Sequence, residues 1–200
     1  MSTKRLEAYS DAVIAIIITI MVLELRPPQG ASWSDLGAII PTLLAYILSF
    51  VYLSIYWNNH HHLLHVSERV NGAILWSNIH LLFWLSLVPF TTSWLSGFPG
   101  TKVPSAVYGL NLFLAGFAYF LLTRTLRASH ASDSLIGILT SYSFKEKIST
   151  VLYILGIAVS LLDLVFLAYT IFALVALIWV IPDKRYETID SMETLQRNDS

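Results

Sequence analysis

The sequence predicts an all-α, polytopic membrane protein with six transmembrane helices. Three observations carry that reading. The first is composition: 56% of the 200 residues are hydrophobic and 12% are charged, with a mean hydropathy of +0.65. A soluble domain carries about twice that share of charge. So large an excess of apolar side chains cannot be hidden inside one compact core of this size. The second is a series of apolar runs of spanning length. The third is the lopsided placement of the basic residues between the runs.

An 18-residue helix rises about 27 Å, enough to cross a hydrocarbon core of about 30 Å with polar residues at its ends. Runs of that order lie at about residues 8–25, 38–57, 72–95 and 104–123. The last apolar block, 148–181, is too long for one span. A single helix there would overshoot the bilayer by roughly 20 Å. Asp163 also sits in its middle, where an unpaired charge is costly. A tight turn near Ser160 to Asp163 therefore divides the block into two short helices, making six spans. Pro41 and Pro89 lie within or near spans, where bundle packing accommodates them. The connections "RPPQGASWSD" and "SGFPGTKVPS" are short and rich in breakers. Trp33, Trp57, Trp94 and Trp179 fall near span ends, as interfacial anchors do. The connection 124–147 reads as a short surface helix. Residues 1–182 form the membrane domain and 183–200 a polar tail.

With six spans, one side holds Lys4, Arg5, Arg69, Arg124, Arg127, Lys145, Lys147, Lys184, Arg185 and Arg197, ten of the twelve basic residues. Arg26 and Lys102 remain on the other side. The positive-inside rule then puts both termini in the cytoplasm of a multi-pass protein in the cell membrane. A five-span reading strands Lys184 and Arg185 outside. The net charge of −1 points to no nucleic-acid partner. The absence of cysteine excludes a disulfide framework, a zinc–cysteine site and a thiol nucleophile. The first apolar run is too long for a cleavable signal, and no small-residue cleavage site follows it. Nucleotide-binding, hydrolase and metalloprotease signatures are absent, as is the Thr-Val-Gly-Tyr-Gly potassium filter. The expectation is therefore not an enzyme.

The first span is the most informative. At 100° per residue, Ala12, Ile16, Thr19, Ile20 and Leu23 share one stripe. Asp11 lies about 140° from Ile16, and Ser10 about 120° away on the other flank. A carboxylate does not face lipid willingly, so Asp11 turns toward neighbouring helices. The stripe is then free to face lipid, protein or a pore, and ordinary helix packing accounts for it equally well. Arg5 and Asp11 are six residues apart and cannot form a one-helix pair. Their partners come from elsewhere in the bundle, with His60, His61, Asn78 and His80 at matching depth. His61 and His65 are an i,i+4 pair, a spacing that zinc can use. No second clear pair or carboxylate is spaced to complete such a site on this reading, and a hydrogen-bonded network accounts better for the histidines. Glu24, at the outer end, either concentrates cations at a mouth or is simply solvated.

"RLEAYSDAVIAIIITIMVLEL" resembles the first helix of the transmembrane protein 175 family of potassium channels, in which arginine is followed after three residues by phenylalanine, serine and aspartate. Here those positions are Arg5, Tyr9, Ser10 and Asp11, with tyrosine in place of phenylalanine. "YWNNHHHL", "NIHLLFWLSLVPF" and "LIWVIPDKR" extend the resemblance over nearly the whole chain. It implies a single-repeat, bacterial type of member: six spans, a homotetramer, and a pore lined by the first helix of each subunit. It implies that Ile16 forms the narrowest ring, that Thr19 lines the pore, and that Leu23 lies further along, with Ile20 and Ala12 on the same stripe. It also implies a network joining Arg5, Tyr9, Ser10 and Asp11 to His60, Asn78 and His80.

The resulting expectation is a leak-type, potassium-selective channel without a carbonyl filter. Its hydrophobic constriction gives modest preference for potassium over sodium. It has no cofactor and no metal beyond permeant potassium, and its partners are the lipid bilayer and its own copies. The competing expectation is a proton-coupled or other secondary transporter that uses Asp11 and the intramembrane histidines. Few ionisable residues lie in the middles of the spans, which disfavours it.

Overall fold

The computed structural model describes residues 2–67, 69–130 and 144–181. Among these residues the chain is entirely helical, with no strand. In order the helices are α1 (Thr3–Leu23), a short α2 (Trp33–Ala38), α3 (Ile40–His65), α4 (Gly72–Ser86), α5 (Val88–Gly97), α6 (Lys102–Ala128), α7 (Phe144–Leu161) and α8 (Val165–Val180). Thr3–Leu23, Ile40–His65, Gly72–Gly97 and Lys102–Ala128 are long and apolar enough to cross a membrane, and Val165–Val180 is a shorter apolar helix. Most of the proposed surface helix in 124–147, and the whole of the tail 183–200, lie outside the described residues.

Each boundary has a local cause. The block 148–181 is broken between Leu161 and Val165. Asp163 takes a left-handed φ of 63° in the turn, a conformation that short polar side chains tolerate. Its carboxylate accepts from Lys102 Nζ at 3.1 Å, tying the turn to the start of α6. Pro41 and Pro89 prove to sit in the first turns of α3 and α5. A missing N–H costs nothing there, so their place follows from helix starts rather than from bundle packing. The third apolar run is accordingly two helices, broken at Leu87. Ser32 and Asp35 close a capping box at the start of α2.

Two helices run past their apolar segments. α1 begins at Thr3, so "RLEAYSD" is helical, and α3 continues to His65, so "NNHHHLLH" is helical too. The polar turns of each lie beside the other, since α1 packs on α3, α4 and α5.

The core is held by close approach and by hydrogen bonds between helices. Phe172 of α8 is fully buried, with its ring edge-on to Tyr108 at 5.9 Å. It fits because Gly109 and Gly156 face it: a Cβ on either would lie 2.4 Å from the ring. Ser49 Oγ meets Thr92 Oγ1 at 2.7 Å and Tyr108 Oη at 3.0 Å. Ser105 and Ser160 hydroxyls meet at 2.8 Å, and Tyr52 donates to the Phe172 carbonyl at 2.6 Å. Small residues and buried hydroxyls of this kind replace the hydrophobic drive that lipid does not supply.

Candidate functional site

α1 presents two unlike faces. Leu6, Ser10, Ile14, Ile17 and Met21 are buried against the bundle. On the other side Ala12 and Thr19 are exposed, and Ile16, Ile20 and Leu23 are 57%, 46% and 78% exposed. The five residues grouped by helical angle therefore form one apolar strip along the outside of this chain. Thr19 is its one hydroxyl. That hydroxyl donates back to the Ile16 carbonyl at 2.8 Å, which leaves its oxygen lone pairs free to accept.

On the buried face lies a chain of polar groups. Ser10 Oγ donates to the Leu6 carbonyl at 2.9 Å, Asn78 Nδ2 donates to Ser10 Oγ at 2.9 Å, and Asn78 Oδ1 lies 2.7 Å from His60 Nε2. The Leu6 carbonyl can only accept, so every proton in the chain has a forced direction. His60 Nε2 must donate, which fixes the neutral Nε2–H tautomer. Its Nδ1 is buried and has no hydrogen-bond partner among the described residues. A bare lone pair is the form of that nitrogen with no proton left unpaired.

The remaining predicted residues fall around this chain. Asp11 is half-buried and accepts from Trp57 Nε1 at 3.1 Å. His80 is half-buried and accepts from Trp84 Nε1 on its own helix at 2.9 Å, so it does not join Ser10, Asn78 and His60. Arg5 and Tyr9 are exposed on this chain. At the far end of α1, Glu24 accepts from Ser93 at 2.9 Å.

Glu7 was not among the sequence-derived candidates, Trp57 was read only as an interfacial anchor, and His61 was weighed as a network partner and, with His65, as half of a zinc site. His61 Nδ1 lies 2.9 Å from Glu7 Oε1. The missed signal is the i,i+4 spacing of Glu7 and Asp11 on α1, matching that of His61 and His65 on α3.

The comparisons bear on this geometry directly. Residues 5–89, which span α1 to the start of α5, match the family described as endosomal/lysosomal potassium channel TMEM175. Over 187 residues the chain is 50% identical to a potassium channel of Chryseobacterium sp. (strain P1-3), covering 94% of this chain and 97% of that one. The chain belongs to the TMEM175 family. A crystal structure from Chamaesiphon minutus, described as a homologue of the lysosomal potassium-selective channel TMEM175, superposes with a TM-score of 0.77 at 27% identity. That match covers 90% of this chain and 96% of the other. The chicken TMEM175, named an endosomal/lysosomal proton channel, is 28% identical over 112 residues, which is 54% of this chain and 22% of that one. The TMEM175 family and these relatives are ion channels, not enzymes. The family match contains α1 from Arg5 onward and all of α3 and α4, the helices that carry both the exposed strip and the buried polar chain.

Proposed function

We propose that this chain is one subunit of a homotetrameric, potassium-selective leak channel. It crosses the cell membrane six times, with both termini and the tail 183–200 in the cytoplasm, and its copies bring four α1 helices around a central pore. The single observation that carries the reading is the exposed strip of α1. Ala12, Ile16, Thr19, Ile20 and Leu23 lie uncovered on one face, while the opposite face of the same helix is buried. The name of the Chryseobacterium relative, 50% identical over nearly all of both chains, supports potassium as the permeant ion.

Ile16 to Leu23 would make a hydrophobic neck about 10 Å tall. A neck of that kind gates by dewetting. An ion entering it sheds part of its hydration shell. Potassium holds that shell less tightly than sodium, so partial dehydration favours potassium. Four Thr19 oxygens, with lone pairs free to accept, replace some of the lost water. Selectivity is modest compared with a ring of backbone carbonyls. Ser10, Asn78 and His60, together with the Asp11–Trp57 bond, hold the angle of α1 and do not touch the ion.

The test is flux through purified protein in liposomes under opposing potassium and sodium gradients. Ile16→Asn is expected to widen and wet the neck and to erode the preference for potassium. Full selectivity in that variant removes Ile16 from the filter.

A second reading, proton movement, is favoured by the name of the vertebrate relatives. The exposed strip carries no ionisable side chain, and the buried polar chain ends at a backbone carbonyl. Flux driven by a pH gradient alone, in liposomes free of potassium, decides for it.

A further inference from the structure

Two i,i+4 pairs meet where the start of α1 lies against the end of α3. Glu7 and Asp11 are one turn apart on α1, and His61 and His65 are one turn apart on α3. One ligand atom each from Glu7, Asp11 and His61 fall within 4.8 Å of one another. We propose that these three side chains form a binding site for one divalent transition-metal cation, which bridges α1 and α3.

The donor set indicates the class of ion. Two carboxylates and one imidazole suit zinc and its neighbours, because imidazole nitrogen is a poor ligand for calcium or magnesium. With both carboxylates ionised and the ring neutral, the site carries two negative charges, which a divalent ion offsets. Bonds of about 2.0–2.2 Å place ligand atoms on a tetrahedral ion about 3.3 Å apart. His61 Nδ1 and Glu7 Oε1 are already at 2.9 Å. Closing the third ligand onto them takes about 1.5 Å, within the reach of side-chain rotation.

The surroundings fit an outer shell. The Trp57 indole donates to one oxygen of Asp11 at 3.1 Å and leaves the other for the ion. The same indole stacks on His61 with ring centroids 6.0 Å apart and planes 23° apart, and the His65 ring stacks on His61 at 5.8 Å. These ring contacts favour one orientation of the imidazole plane before a metal arrives, as outer contacts do in metal sites. Binding requires a lone pair on Nδ1, so a neutral His61 must hold its proton on Nε2, and a protonated His61 releases one proton. The His61 side chain is 41% exposed, which gives the cation a path from solvent and leaves a fourth position open to water.

The proposal stands apart from the pore reading, because it is tested without ion flux. Tag-free protein in detergent micelles is titrated calorimetrically with zinc chloride, with calcium and magnesium chloride as comparisons. One saturable zinc site per chain is expected. Glu7→Gln and His61→Gln should each weaken it at least about tenfold, and Trp57→Phe about 10- to 100-fold. Cobalt should give strong ligand-field bands that His61→Gln abolishes. Unchanged size-exclusion profiles and thermal midpoints establish that the variants are folded. The absence of saturable zinc binding overturns the site, as does unweakened zinc affinity in either Gln variant or equal competition by calcium. A protein that binds zinc but passes no potassium sinks only the channel reading.

Discussion

Ser10 is where the physics of a single residue is sharpest. Its hydroxyl gives its proton to Leu6 and takes one from Asn78, so it terminates the buried chain. Ser10→Ala removes the acceptor and strands an amide N–H between α1 and α4. Hydrogen bonds between membrane helices average about 0.6 kcal/mol and reach about 1.7. A buried donor left without a partner costs about 1–3 kcal/mol. The expected loss is therefore about 1–2 kcal/mol, read as a lower thermal midpoint in detergent, with helical content retained. An unchanged midpoint would mean that the Asn78 amide finds another acceptor. At this scale depth and polarity set His60, His61, Asn78 and His80 at one level as candidate partners, and it was the resemblance that joined Ser10 to His60 and Asn78. The sequence was not readable for Glu7, because a carboxylate in the first polar turns looks solvated until α3 is known to extend beside it. The membership of His80 was equally hidden, since its Trp84 partner lies four residues along its own helix.

Among the elements, the wedge of α8 between α6 and α7 makes the strongest prediction. Gly109 and Gly156 leave room for the Phe172 ring and for nothing more. Gly109→Ala should cost about 1–3 kcal/mol as an overpacked core. Phe172→Leu, alone destabilising through lost volume, should restore part of the loss when combined with it. Additivity of the two changes would show that the ring and the glycine do not meet. The division of 148–181 was legible because length and a mid-run aspartate exclude one straight span. The break at Leu87 was not taken from the sequence, although Pro89 restricts the residue before it. An unbroken apolar run hides a break that costs no polar group. The ends of α1 and α3 ran past their apolar runs for the opposite reason: polar turns stay helical when a neighbouring helix supplies their partners.

For the whole molecule, the question is what covers the strip on α1. The uncovered side chains of Ile16, Ile20 and Leu23 must meet lipid, another copy, or water in a pore. The chain contains no cysteine, so a single introduced thiol reports its own surroundings without background. A thiol in hydrocarbon does not ionise, and only the thiolate reacts. In a pore that admits water at its outer end, Leu23→Cys and Ile20→Cys should react with a charged, membrane-impermeant methanethiosulfonate reagent. Leu174→Cys on α8, a side chain of comparable exposure at 47%, should react far more slowly, because nothing but lipid is expected over that face. Modification at Leu23→Cys should also reduce potassium flux, while any at Leu174→Cys should leave it unchanged. Native mass spectrometry of the same samples should give a mass of four chains. Equal labelling at Leu23→Cys and Leu174→Cys would place the α1 strip against lipid, and the pore would then have to be sought on another face of the bundle.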